Sequence, residues 1–337
     1  MNKQNLSTIG NKLYTIESIG IGITNECNLN CKHCYSRNMV RENLDKRDIG
    51  EALTMFPKLK AVNLGTGESF LNKDFLDILK ILKERDLKVS LTSNGFTISK
   101  LSDNELKMLD EVDISLDFPN EKEHDEFRRS PGTFKKAIDS IERLKNNGVD
   151  VSIATTLMNI NYKYLPDFIK ILKKFDIPMR LNIYKPVNSK EFVLNYHEFW
   201  DAIKILSDHF KLISSSEPML SIVTNIPQNG SPCGGSLRMH PNKTLTGCVY
   251  LEGEKISVAS FNKTKKIIPN FCQKCDYVKW CQGGCLSRRI LNNRIDTPDQ
   301  YCPIFKEGKI PDIDFRIEHS KDYIHSGYLC TIIVKHL

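Results

Sequence analysis

A chain of 337 residues, 40% hydrophobic and 26% charged, is long enough to bury one large core and carry a small second domain, with the balance of a soluble globular protein. Its formal charge of +7 is scattered over amphipathic helices, which argues against a nucleic-acid footprint; no apolar run reaches the ~18 residues of a membrane span, and the first residues lack the apolar core of a signal peptide. Eleven cysteines without an export signal are an odd count for a disulfide framework and point to metal ligation in the cytoplasm.

Residues 18–24, Ser-Ile-Gly-Ile-Gly-Ile-Thr, predict a first strand running straight into a loop with the spacing Cys27-x3-Cys31-x2-Cys34. Three thiolates on so short a loop can hold three irons of a four-iron cluster and leave the fourth without a protein ligand. Structural iron–sulfur sites usually close all four positions, and an open metal position marks catalysis. Extended patterns follow at 61–64, 87–92, 112–116, 149–156 and 179–184, with helical patterns at 73–85, 101–110 and 162–175. Between the fourth and fifth strands, Phe134, Ala137, Ile138, Ile141 and Leu144 share one helical face, and Gly148 stands where a C-cap belongs. Repeated βα units imply a parallel sheet with helices outside, and chemistry at the C-terminal strand ends. A helix over 195–214 precedes an irregular segment at 213–236, then most of the cysteines and a strand-like run at 328–334. These patterns divide the chain into a βα-repeat domain (1–215), a cysteine-rich domain (216–305) and a tail without an assigned role (306–337).

The loop Cys27 to Tyr35, with the aromatic His33 before its last cysteine, resembles the radical S-adenosylmethionine (SAM) superfamily. The resemblance implies an α/β fold, a partial (β/α)6 TIM-like barrel. It implies a 4Fe–4S cluster on Cys27, Cys31 and Cys34 whose open iron chelates SAM, with His33 and Tyr35 beside that cofactor. Reductive cleavage of SAM would then give a 5′-deoxyadenosyl radical that takes a hydrogen atom from the substrate. Gly65-Thr66-Gly67-Glu68 resembles the family's Gly-Gly-Glu segment, whose backbone and acid hold the SAM ammonium; Thr66 replaces its first glycine. Thr92-Ser93-Asn94-Gly95 is similar to the family's Thr-Asn-Gly turn and reads equally as a plain turn. Ser115 and the run from His124 to Phe134 resemble the branch with a C-terminal SPASM domain, which implies that Ser115 contacts SAM and Arg128 pairs with its carboxylate. His124 is expected to be structural.

Cys272-x2-Cys275-x5-Cys281-x3-Cys285 followed by Cys302 resembles that SPASM domain, with Lys243 standing where a glycine is usual. The resemblance implies three 4Fe–4S clusters in all. One auxiliary cluster would be closed by Cys272, Cys275, Cys281 and Cys302. The other would rest on Cys233, Cys248 and Cys285, with an exchangeable iron open to substrate, water or Cys330. Ten ligating thiolates would lower the net charge to about +3.

Relatives of this kind mostly modify ribosomally made peptides, so the resemblance implies an oxidative peptide maturase forming a thioether or C–C cross-link. Peptide epimerisation, formylglycine formation in sulfatases and haem-pathway chemistry are alternatives within the family, and an iron–sulfur electron carrier is the alternative outside enzymes. Formylglycine formation is disfavoured, because Val249 and Tyr250 stand after Cys248 where those enzymes carry an aspartate. Expected partners are a peptide or small-protein substrate and a one-electron reductant of flavodoxin or ferredoxin type. With 26 residues before Cys27 no recognition domain is expected there, so either a separate leader-recognition protein or direct leader binding is expected; nucleic acid and membrane are not expected partners. Tyr250, Glu252 and Tyr301 are candidates to lie near the substrate.

Overall fold

The computed structural model describes residues 16–37, 39–224, 237–254, 267–318 and 331–337, side chains at 252–254 excepted. Its strands are β1 Ser18–Ile21, β2 Ala61–Leu64, β3 Lys88–Ser93, β4 Glu111–Ser115, β5 Asp150–Leu157, β6 Met179–Ile183, β7 Phe210–Ser215, β8 Leu237–Met239, β9 Leu245–Thr246 and β10 Thr331–His336. They form one sheet in the order β7-β10-β6-β5-β4-β3-β2-β1-β8-β9. Strands β1 to β6 are parallel and in chain order, as the repeated βα pattern requires. Their residues Ile19, Val62, Val89, Val112, Ile153 and Leu181 are fully or almost fully buried in one continuous core. This is the expected α/β partial barrel.

The helices are α1 Lys46–Met55, α2 Phe75–Glu84, α3 Phe96–Lys100, α4 Asp103–Leu106, α5 Glu121–Arg128, α6 Thr133–Asn146, α7 Ile169–Phe175, α8 Tyr196–His209, α9 Leu220–Thr224, α10 Val278–Cys281, α11 Leu286–Leu291 and α12 Pro303–Glu307. Helix α6 buries Ala137, Ile141 and Leu144, and Gly148 follows its cap at φ 73°, the left-handed conformation that glycine takes without a Cβ penalty.

Three elements differ from expectation. The helix over 101–110 contracts to α4, started by a Ser102–Glu105 capping box. In 162–175, Pro166 lies inside a 3₁₀ stretch, Tyr162–Phe168, that precedes α7; a proline has no N–H to continue the α ladder. The helix over 195–214 ends at His209, and the next six residues form β7. There Phe210 and Leu212 are buried, and β10 pairs antiparallel with both β6 and β7. Long-range pairing overrides the local pattern.

The tail therefore supplies a strand to the main sheet. At the opposite edge β8 pairs parallel with β1, and β9 returns antiparallel to β8. Both ends of the barrel sheet are extended by residues C-terminal to β6.

Candidate active site

The loop after β1 is pinched at its neck. Thr24 bridges Asn43, the Leu44 amide donates to the Ile23 carbonyl at 2.9 Å, and the Asn72 amide donates to the Ile23 and Leu44 carbonyls at 2.7 and 2.8 Å. From the far side, Asn188 donates to the Cys34 carbonyl at 2.9 Å. The loop is thus fixed by groups from three segments, and Cys27, Cys31 and Cys34 all line one cavity of about 220 Å³.

The other walls come from the C-terminal ends of successive strands: Gly65 to Glu68 after β2, Ser93 and Asn94 at β3, Ser115 at β4, Thr155 and Thr156 in β5, and Asn182 in β6. This is where a parallel barrel carries its chemistry. His33, Tyr35, Gly65, Thr66, Gly67, Glu68, Ser115 and Arg128, all expected here from the sequence, line this cavity.

Gly67 is required by space and by conformation. It has φ 64°, and a Cβ there would stand 2.4 Å from the Glu26 carbonyl oxygen. Thr66 holds φ 80°, a strained region for a β-branched residue, and its hydroxyl hydrogen-bonds the Tyr35 hydroxyl at 2.8 Å. The Glu68 carboxylate accepts from the Asn94 amide at 3.0 Å and the Thr97 amide at 2.8 Å, and from the Ser93 hydroxyl. It therefore braces the β2 and β3 loops, and Oε2, with one bond, keeps capacity to accept from an ammonium. Asn94 donates to Asn28 at 3.0 Å and approaches the Cys27 sulfur at 3.6 Å, which ties the β3 turn to the cysteine loop.

Arg128 ends α5 with its Nε and Nη2 on one oxygen of Asp117, at 2.9 and 2.6 Å. Burial works against the Asp117 carboxylate, but Arg128, His33 and His124 outweigh it and hold it down at about 2. Asp117 also accepts from the Thr156 amide at 3.0 Å. The arginine expected to face a SAM carboxylate is thus oriented by a protein carboxylate. His33 stacks on Phe127 at 4.8 Å, and burial holds its imidazole down at about 4, so it is uncharged at neutral pH. His124 is buried and accepts from the Asp117 amide at 3.2 Å, a structural contact.

Burial pushes the Cys27 thiol up to about 12 and the Cys31 thiol up, although Arg128 pulls the latter down. Among the described residues no three Cys, His, Asp or Glu side chains converge closely enough to hold a single metal ion. Three thiols set around one cavity wall suit instead a cluster whose metals are spread out, and cysteine is the ligand such clusters take. The donor set fits.

In the C-terminal region Cys272, Cys275, Cys281 and Cys302 lie within electrostatic reach of one another, and Cys248 lies beside Cys285. Cys233 and Cys330 lie outside the described residues. Burial pushes Cys272 up to about 11 and Cys281 up to about 12. A buried clamp braces these segments: Arg288 of α11 binds Glu217 at 2.8 Å through Nη1 and Asp299 at 2.8 Å through Nη2. Asp299 in turn accepts from the Cys285 amide at 2.7 Å.

Tyr250 lines the cavity and packs edge-on against Tyr35 at 5.4 Å. Tyr301 does not reach it. Its ring stacks on Phe199 of α8 at 4.1 Å and its hydroxyl donates to the Leu194 carbonyl, which hold it in the core. The Glu252 side chain is outside the description. Sequence reasoning missed Lys185 and Arg238, both lining the cavity. Arg238 is a charged residue within the short β8, between hydrophobic neighbours; that pattern was its only signal.

Comparison with known proteins agrees with this geometry. Residues 21–172 match the model described as the radical SAM superfamily. The chain is 28% identical over 156 residues to an AdoMet-dependent heme synthase of Oleidesulfovibrio alaskensis, a match covering 44% of this chain and 40% of that protein's length. It is 22% identical over 323 residues to the mycofactocin maturase MftC of Mycolicibacterium smegmatis, covering 83% of this chain and 81% of MftC. Its fold is similar to that of Streptococcus suis SuiB bound to the precursor peptide SuiA, with TM-score 0.68 and 14% identity, covering 89% of this chain and 78% of SuiB. Residues 21–172, from the first strand through the cysteine loop to the fifth βα unit, are a radical SAM domain.

Proposed function

We propose that this chain is a radical SAM maturase that oxidatively modifies a ribosomally made peptide, forming a thioether or C–C cross-link. The observation that carries the proposal is the shared cavity: Cys27, Cys31 and Cys34 face Glu68, Ser115 and Arg128 across one space, with six more cysteines gathered C-terminally. Similarity to MftC along most of the chain, and to the fold of SuiB, which binds a precursor peptide, supports a peptide as substrate.

On this reading Cys27, Cys31 and Cys34 hold the 4Fe–4S cluster, and Glu68 with the Gly65–Gly67 backbone receives the SAM ammonium. Ser115 and Arg128 face the methionyl end, Arg128 held in register by Asp117. The cluster and SAM together supply a one-electron cleavage that yields a hydrogen-abstracting radical. Tyr35, Tyr250 and Thr66 together line one side of the cavity. Cys272, Cys275, Cys281 and Cys302 would hold one auxiliary cluster, and Cys248 and Cys285, with Cys233, the other. A flavodoxin- or ferredoxin-type protein would supply the electron. The nine cysteines among the described residues form no disulfide, which suits a reducing compartment such as the cytoplasm.

The test is anaerobic reconstitution with iron, sulfide, dithionite and SAM. 5′-Deoxyadenosine is expected, and its absence would sink the radical reading. Mass spectrometry of peptides encoded beside this gene should then show loss of two hydrogens. An unchanged mass with one deuterium gained in D2O would mean epimerisation instead.

A further inference from the structure

Among the described residues, three lysine or arginine side chains line the cavity: Arg128, Lys185 and Arg238. Arg128 is committed to Asp117. Lys185 donates to the Ile183 carbonyl at 3.1 Å, with its ammonium 4.6 Å above the Tyr250 ring. Arg238 differs. It is 8% exposed, and its Nε and Nη1 have no hydrogen-bond partner among the described residues. A buried guanidinium with unsatisfied donors is costly, and such groups are normally paired.

The fold makes room for this group. Gly20 of β1 stands directly opposite Arg238 in the β1–β8 ladder. A Cβ at Gly20 would lie 2.8–3.0 Å from Cζ, Nη2 and Nε of Arg238, and one at Gly65 would lie 3.4 Å from Nη1. Gly20 does not have a positive φ, so its value is space rather than conformation. The guanidinium crosses β1 over that glycine and reaches the cavity beside the end of β2.

We propose that Arg238 anchors a carboxylate of the substrate. Its planar fork matches a carboxylate bidentately. Resting on the peptide reading above, this names the substrate class: a peptide that presents an Asp or Glu side chain, or a free C-terminal carboxylate, next to the modified position. The other carboxylate in the site would be that of SAM. Arg128 is held on Asp117 at the end of α5, whereas Arg238 comes from β8 and lies over Gly20 of β1 and beside Gly65 after β2. The two arginines enter the cavity from different elements.

The test uses reconstituted, SAM-loaded protein titrated with N-acetyl-L-glutamate and N-acetyl-L-glutamine, followed by saturation-transfer NMR. The acid should bind about tenfold more tightly than the amide, the scale of a lost charge-assisted hydrogen bond. Arg238→Gln should erase that preference and Arg238→Lys should restore part of it. Equal binding of the two probes, or a preference that survives Arg238→Gln, would overturn the proposal. So would a tenfold loss of SAM affinity in Arg238→Gln by equilibrium dialysis, which would assign the arginine to the SAM carboxylate. Iron content identifies a misfolded variant; should Arg238→Gln fail to fold, Gly20→Ala displaces the guanidinium and must lose the preference too. Acid-selective binding without any modified peptide would refute the peptide reading and leave Arg238 assigned. Modified peptide without acid selectivity would do the reverse.

Discussion

Between Cys27 and Cys34 three cysteines ride on one loop at the mouth of the sheet, and Cys27 and Cys34 remain partly exposed. Between Cys248 and Cys302 six cysteines come from several short helices and turns, and all but Cys275 are buried. The first region is held from outside: Asn72, Asn94 and Asn188 grip its backbone and flanks. The second is held from within by the Glu217–Arg288–Asp299 clamp and has little apolar core of its own. A loop gripped by a rigid scaffold can stay open to a cofactor and a substrate. A cysteine-rich segment with little apolar core of its own is instead enclosed and held by its buried ion pairs.

The sharpest way to break this comparison is Arg288→Ala. It leaves Glu217 and Asp299 buried without a counter-charge, and removal of one partner from a buried pair costs about 3–5 kcal/mol. Urea denaturation should show that loss, and iron analysis should show C-terminal iron lost while the Cys27–Cys34 loop keeps its own. Unchanged stability would mean that the clamp does not hold the region. Gly67→Ala acts on the other side. The clash with the Glu26 carbonyl and the positive φ should cost about 1–3 kcal/mol, weaken SAM binding and spare the C-terminal iron; equal iron loss in both regions would contradict the separation.

A third test compares apo- and holo-protein. Burial raises the thiols of Cys27, Cys272 and Cys281 above their ordinary value of 9.0. A raised folded-state value contributes stability that is complete below pH 9 and fades as pH climbs toward 11–12. The melting temperature of the apo-protein should therefore fall between pH 9 and 11 more steeply than that of the holo-protein, whose thiolates are already bound. Parallel curves would show that the cysteines are not buried as thiols. The smallest effect is expected for Thr66→Gly. Relief of the φ 80° strain offsets loss of the Tyr35 hydrogen bond, each about 1 kcal/mol. A stability loss above about 2 kcal/mol would give the hydroxyl pair a larger part.

The parallel core and the cysteine loop were legible because they follow local rules, while Gly65 to Glu68, Ser115 and Arg128 were legible through the resemblance to the radical SAM superfamily. Apolar runs at strand length, amphipathic helices between them and cysteines at fixed spacing are all near in sequence. What escaped depends on distant partners. The segment 210–215 carries helical and extended patterns together, and only β10, more than a hundred residues later, selects the strand. Tyr301 was a candidate to lie near the substrate, but α8 supplies the Phe199 ring that stacks on it in the core. Arg238 gained meaning only when β8 was laid against Gly20, two hundred residues away in the chain.

Strand β10 has a consequence in time. It lies after every cysteine in the chain, yet it sits between β6 and β7. While a ribosome is still making residues before 331, β6 presents a bare edge and β7 has no neighbour to join. The cysteines up to Cys302 are therefore synthesised before the strand that completes the sheet, and β10 is laid down as a late bolt.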